Sequence, residues 1–345
     1  MSLRVGSLIY ATEQGLGILA RSLVSHGIIT APMVVRHGRH ADHPEWYTGV
    51  QEIHDLRSHA ARGQIRRHLL SCSAVLFIET PFDWGLLPLL REARVPTALL
   101  TMHECTPRTL PALPDLFICP SDLDYSIFTG DGSSGVRTVR LDVPVGVPWR
   151  LRGRARTFVH NAGWGSFHDR NGTRALLEAI DLVRSPAHFL IRSQQDLPDR
   201  HVPMPAAATV EWRLGTALYE TLWDEGDVFV FPERFNGLSL PLREARASGM
   251  LVMASDRPNN HWLPTEPLIP VSGYTEVAIG SAYRTVQRAT ISPADVAVTI
   301  DAWYDRDISS YSSQGRGWAM ANSWEALGGQ WTRTLEDLIA GGVVP

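Results

Sequence analysis

Short apolar runs recur along the whole chain, separated by polar loops and by stretches whose apolar positions repeat at helical spacing. In the first half these runs are Leu3–Tyr10, Ile28–Val35, Ala74–Ile78, Val95–Thr101 and Leu116–Cys119. In the second half they are Phe158–Asn161, His188–Arg192, Thr209–Arg213, Val228–Phe231 and Leu251–Ala254. Most are continuously apolar rather than alternating, the pattern of strands buried on both faces of a parallel sheet. Helices are predicted at Ile18–Ser25, Ile53–Leu70, Thr173–Leu182 and Tyr219–Glu225, and at the C-terminus as far as Ala340. Such alternation predicts an α/β fold with doubly wound parallel sheets.

The stretch Asp227–Asp256 holds this alternation in its clearest form. Val228–Phe231 stops at Pro232 and opens into a polar loop, Glu233–Gly237. Pro241 suits the first turn of a helix and Gly249 its C-terminal end, after which Leu251–Ala254 is the next strand. The start of that helix, with its unpaired N–H groups and macrodipole, suits phosphate or another anion. A second unit of this kind is Ala162–Gly172, AGWGSFHDRNG, a glycine-rich loop before a helix. Gly163 supplies backbone freedom there, and Arg170 places a cation beside the helix start. Gly15 and Gly17 lie between the first strand and its helix, where they allow close approach of a ligand, yet no full dinucleotide fingerprint is present.

A chain of 345 residues exceeds what one core normally spans, so two domains are expected. All 32 basic residues are arginine, which excludes a lysine phosphate clamp, a Schiff base and a P-loop. The formal net charge is −4, and residues 1–150 hold 14 Arg against 14 acidic residues, so no global basic field points to nucleic acid. Cys72, Cys105 and Cys119 have neither paired nor metal-type spacing, which suits a reducing, cytoplasmic compartment. No signal peptide or membrane-spanning run is expected.

Strand ends supply further candidates. His103 and Glu104 follow the strand ending at Thr101, and Glu79 follows the one ending at Ile78, where open α/β sheets bind ligands. A structural histidine is the plainer reading of His103. Ile53–Leu70 turns Ile53, Leu56, Ala60 and Leu69 inward and Arg57, His59, Arg62, Arg66 and Arg67 outward, a solvated face or a seat for an anionic acceptor. The Asp122-Leu123-Asp124 triplet is read as the acidic first turn of a helix, and the charged stretch Arg36–His43 as a solvated loop.

The run FNGLSLPLREARASGMLVMASD resembles the signature of the retaining glycosyltransferase family 4, the group 1 glycosyltransferases. In that family the loop reads Glu-Gly-Phe-Gly-Leu-Pro, then Leu-Glu-Ala, with seven residues between the two glutamates. The second glutamate is Glu244; the first falls on Asn236, a departure, with Glu233 three residues earlier as the alternative occupant. The glycines at 15 and 17, His103, the last N-terminal strand and Pro-x-Gly-Val link within Val139–Trp149 (VRLDVPVGVPW), Arg170 and the terminal Asn322-Ser323-Trp324-Glu325 also resemble family elements. The likeness is clearest over 227–256, looser over 158–182 and faint before 95.

The resemblance implies a GT-B fold: residues 1–150 an acceptor-binding Rossmann-like domain, 151–315 a second that binds the nucleotide sugar, and 316–345 a helix returning to the first, with a cleft between the two domains. It implies metal-independent hexosyl transfer from a UDP- or GDP-sugar, UDP-glucose among them, to a hydroxyl with retention of configuration, and no cofactor. Donor contacts are expected from Gly15, Gly17, Gly163, Arg170, Arg192, Arg213, Gly237, Leu238, Ser239 and Glu244, with Glu244 on the ribose. Asn236 or Glu233 is expected at the sugar and His103 near the reacting centre. Glu79, Glu104, Arg57, Arg62 and Arg66 are the acceptor candidates, the acceptor being a glycan, a small molecule or a hydroxylated base in DNA. The competing readings are a phosphorylase or epimerase of the same fold and a non-catalytic sugar-nucleotide binder.

Overall fold

A computed structural model describes residues 3–38, 42–56, 58–130, 135–164, 169–197, 200–263, 267–280 and 283–341. The chain divides into two compact units. Unit 1 comprises residues 1–144, 282–284 and 323–345, and unit 2 residues 145–281 and 285–322.

Unit 1 holds β1 (Val5–Ile9), α1 (Gly15–Ser25), β2 (Ala31–Val35), β3 (Glu52–Ile53), α2 (His59–Leu70), β4 (Ala74–Glu79), α3 (Leu86–Glu92), β5 (Thr97–Thr101), β6 (Leu116–Cys119), α4 (Asp122–Gly130) and β7 (Arg137–Arg140). Its seven strands lie in the order β3-β2-β1-β4-β5-β6-β7, every pairing parallel. The order reverses between β1 and β4, which is the switch point of a doubly wound sheet.

Unit 2 follows with β8 (Thr157–Gly163), α5 (Thr173–Ile180), β9 (His188–Ser193), β10 (Thr209–Leu214), β11 (Val228–Phe231), α6 (Leu240–Ala247), β12 (Leu251–Ser255), β13 (Leu268–Ile269), the antiparallel pair β14 (Gly273–Ala278) and β15 (Thr285–Thr290), α7 (Pro293–Trp303) and α8 (Ser309–Ala321). Its six-stranded parallel sheet runs β10-β9-β8-β11-β12-β13, with the switch point between β8 and β11. Both faces are covered. Val228 and Val230 face the core shared with Leu176, Ile180 and Ile300, while Phe229 and Phe231 face the core shared with Leu242 and Ala245. Burial on both faces is why this strand is apolar without a break.

The chain ends in α9 (Trp324–Gly341), which belongs to unit 1. Trp324, Trp331, Leu335 and Leu338 form its buried stripe. The Trp324 indole donates to the Ser22 hydroxyl on α1 (2.8 Å) and the Trp331 indole to the Asp142 carbonyl (2.9 Å), so two large apolar side chains also satisfy their polar atoms.

Three expectations need correction. The helix predicted from Ile53 starts only at His59, because Ile53 is paired in β3 and the Ser58 hydroxyl caps the helix by accepting from the Ala61 amide (3.1 Å). Its inward residues are Ala61, Ile65 and Leu69, while Ala60 is exposed. The helix predicted over Tyr219–Glu225 is a single 3-10 turn, Tyr219–Thr221. Carbonyls beyond it accept from arginines instead of amides: Leu222 from Arg192 (2.6 Å) and Trp223 from Arg152 (2.7 Å). The last strand of the first half is Arg137–Arg140, and 141–150, which includes two prolines, is irregular. The β14–β15 hairpin and α7 carried no sequence expectation, and α8 overlaps only the start, 316–321, of the helix expected over 316–345.

Trp331 is fully buried. Trp331→Ala should lower stability by about 3–5 kcal/mol, the range for truncating a large buried aromatic, read as a fall in the urea midpoint.

Candidate functional site

Unit 2 gathers most of the sequence candidates around its switch point. The loop after β8 returns through Asp169, Arg170 and Gly172 to α5. Gly172 has φ of 68°, and a Cβ there would lie 1.8 Å from the Pro232 carbonyl oxygen, so only glycine lets the start of α5 abut the end of β11. The Arg234 amide donates to the Arg170 carbonyl (2.7 Å), joining the two loops again. Beneath them, His160 is buried with its imidazole 2.8 Å from the Val230 carbonyl and 2.9 Å from the Thr173 hydroxyl. Burial pushes its pKa down to about 4. The neutral ring therefore donates from Nδ1 to the carbonyl and accepts the hydroxyl proton at Nε2, tying the first turn of α5 to β11.

The loop between β11 and α6 is braced from within. Glu233 is 0% exposed; one carboxylate oxygen meets the Arg257 guanidinium at 3.0 Å and the other accepts from the Ser239 hydroxyl at 2.5 Å. The Ser255 hydroxyl donates to the Glu233 carbonyl (2.6 Å). Asn236, 9% exposed, accepts the Ser239 amide through Oδ1 (3.2 Å). Asn259 donates to the carbonyls of Asn236 (2.6 Å) and Gly237 (2.8 Å). Ser239 is held in the left-handed region with φ of 49°, a conformation worth about 1–3 kcal/mol of strain. Gly237, Leu238 and Ser239 are buried, and α6 begins at Leu240 with Pro241 in its first turn.

One turn into α6, Glu244 accepts from the Tyr219 hydroxyl (2.8 Å). Burial pushes its carboxyl up to about 8, partly offset by Tyr219 and Trp223. Arg192 and Arg213 face each other in the β9–β10 register. Both meet the Glu225 carboxylate, and Arg213 also meets Glu211 (2.6 Å). These two arginines share acidic neighbours, so they carry little net positive charge to a phosphate. Gly163 ends β8 with φ of 62° and accepts the Gln194 amide (2.7 Å).

In unit 1, Gly17 is dictated by packing: a Cβ would lie 2.2 Å from the Thr12 carbonyl oxygen, whereas Gly15 opens α1 beside open space. Glu79 ends β4 with φ of 63°, and the Thr80 amide donates back to the Ile78 carbonyl (2.8 Å). That is a γ-turn of positive φ, a rare and strained form. Glu79 and Thr80 line a cavity of about 150 Å³ with Tyr10, at the β1–β4 switch point.

His103 and Glu104 lie in a short 3-10 turn after β5, both buried. The His103 amide donates to Asp124 (2.8 Å), its Nδ1 lies 3.3 Å from Glu104, and Ser121 also donates to Asp124. Asp122 and Asp124 do open α4, and Asp124 serves this network. Arg62 and Arg66 are exposed on α2; Arg57 lies outside the described residues. Sequence reasoning missed Arg257, Asn259, Tyr219 and Tyr10. Arg257 and Tyr10 each lie within two residues of a strand's C-terminal end, a signal that could have found them.

Among the described residues no group of three or more His, Cys, Asp or Glu could hold a metal ion, no disulfide joins the three cysteines, and no helix is long and apolar enough to cross a membrane.

The fold is GT-B, the two-unit α/β architecture of many glycosyltransferases. Among solved structures similar to this chain is HepE of Anabaena in complex with UDP and glucose: 10% identical, TM-score 0.66, covering 97% of this chain and 100% of that one. Sucrose-phosphate synthase of Thermosynechococcus elongatus is 13% identical with a TM-score of 0.64 over 98% and 100% of the two chains. A glycosyltransferase of Rickettsia africae is 9% identical with a TM-score of 0.62 over 97% of each. No family model and no curated protein matches the sequence.

Glu233→Ala would leave Arg257 buried without its carboxylate. It should lower stability by about 3–5 kcal/mol, against about 1 kcal/mol for Asn236→Ala, both measured by urea unfolding. Glu244 titrates in the opposite sense to a paired surface acid. Its folded pKa is raised above the ordinary value, so its contribution to stability is full below about pH 4.5 and lost as pH rises through about 8. The melting temperature of wild type should therefore fall relative to Glu244→Gln between pH 5 and pH 8, and parallel curves would contradict the assignment.

Proposed function

We propose that this protein is a glycosyltransferase that moves a hexosyl group from a UDP- or GDP-sugar to a hydroxyl acceptor with retention of configuration. The observation that carries this reading is the switch point of unit 2, where two loop–helix units meet at the Gly172–Pro232 contact, one bearing Arg170 and the other Asn236 and Glu244. Crystal structures of the similar HepE hold UDP, glucose or UDP-glucose, which supports a nucleotide sugar as the ligand.

In this reading the start of α5, Arg170 and the amides of Gly237 and Leu238 offset the charge that develops on the departing diphosphate. Glu244 accepts from the ribose hydroxyls, and two such bonds draw its pKa down by favouring the charged form. Both oxygens of Glu233 are engaged by Arg257 and Ser239, so Glu233 positions the loop and Asn236 takes the sugar contact through its Nδ2 amide. The bond from the anomeric carbon to the diphosphate breaks while the acceptor oxygen adds on the same face. The acceptor proton passes to the departing phosphate oxygen. No metal is used, and the protein works in the cytoplasm.

The assay is release of free UDP or GDP from a panel of sugar nucleotides and hydroxyl acceptors. Arg170→Ala should weaken nucleotide binding by about 1.5–3 kcal/mol, the loss of a charge-assisted bond. Glu244→Gln should lower turnover, Asn236→Ala should impair transfer at nearly unchanged nucleotide affinity, and EDTA should leave activity intact. Wild-type behaviour in all three variants would sink the site, and a requirement for inorganic phosphate would mark a phosphorylase.

A further inference from the structure

The cavity of unit 1 has a chemistry of its own. It measures about 150 Å³, the size of an apolar void that holds one benzene ring. Leu8, Ile9, Leu16, Ala20, Ile78 and Phe82 line it together with Tyr10, Glu79 and Thr80, which bring its polar side chains. A free pyranose brings a hydroxyl on nearly every ring carbon, and each would need a partner on leaving water. This lining suits an apolar ring with one hydroxyl.

We infer that the cavity binds a hydroxyl-bearing apolar ring of about benzene size, such as a phenol, whose hydroxyl donates to Glu79. Glu79 occupies a backbone conformation that glycine adopts without strain, yet a carboxylate stands there on the cavity wall. Strain of this kind collects at ligand sites because the surroundings hold it in place. Tyr10 is fixed as the facing group, edge-on to Phe82 at 5.1 Å and to His37 at 4.8 Å. Burial and the nearby Glu79 raise its pKa, so it stays a neutral donor for the same hydroxyl oxygen. As the acceptor site of a transferase, the assignment rests on the reading proposed above; as a binding site it does not.

Calorimetric titration of the full chain with phenol and with methyl α-glucoside tests it. Phenol should bind with a negative heat-capacity change and the glucoside should not. Leu16→Trp, which fills the cavity from a half-buried position, should weaken phenol at least tenfold with little change in melting temperature. Glu79→Gly should weaken phenol several-fold while the melting temperature holds or rises. Absence of phenol binding, equal binding in Leu16→Trp, or preference for the glucoside overturns the inference. Phenol binding without sugar transfer from any nucleotide sugar keeps the cavity and removes the transferase reading. Transfer to a glycan undiminished in Leu16→Trp keeps the transferase reading and overturns the cavity as its acceptor site.

Discussion

Water does not reach the Glu233 carboxylate, and an ionised acid in that position needs a cation at once. Arg257 supplies it from just beyond β12, the Ser239 hydroxyl donates to the other carboxylate oxygen, and Ser255 holds the Glu233 main-chain carbonyl. Removing an ion from water costs several kcal/mol even after relaxation, so the pair contributes little net stability; its effect is on geometry. With both ends of the loop tied to Glu233, Ser239 is held left-handed, α6 starts at a defined angle and Glu244 arrives one turn later beside Tyr219. Asn236 and Glu244 thus rest on contacts made by Asn259 and Tyr219, and Glu233 on one made by Arg257, none of which is itself a candidate.

The two units repeat one topology and fill its switch point differently. In unit 2 the space between β8 and β11 is closed at the base by Gly172 against Pro232 and by the neutral His160, and its rim carries amides, an arginine and acids. In unit 1 the corresponding space between β1 and β4 holds a cavity whose wall includes the strained Glu79.

Much of the architecture was legible because its physics is local. Runs such as AVLFI and VFVF have to be buried on both faces, and Pro241 and Gly249 bracket α6 wherever the helix packs. The GT-B fold followed from that alternation and from the resemblance of 227–256. What the pattern misjudged were places where a distant partner took over a backbone group. Tyr219–Glu225 has helical spacing, yet carbonyls there bond to Arg192 and Arg152. Ile53 looks like the start of a helix until β2 pairs with it.

The chain by itself made Glu79, His103, Arg170 and Glu233 visible as candidates because each follows an apolar run or precedes a helix, and the resemblance of 227–256 added Asn236 and Glu244. Only the tertiary structure decided what each is joined to. Glu233 and Asn236 are three residues apart and indistinguishable by spacing, but Arg257, 24 residues on, pairs with the carboxylate of the first and reaches only the main-chain carbonyl of the second. Likewise nothing local marks Glu79 as strained or Tyr10 as its neighbour, because a γ-turn and a cavity wall are properties of packing between elements. Spacing records what one segment can form, and the partner of a buried charge is a relation between segments.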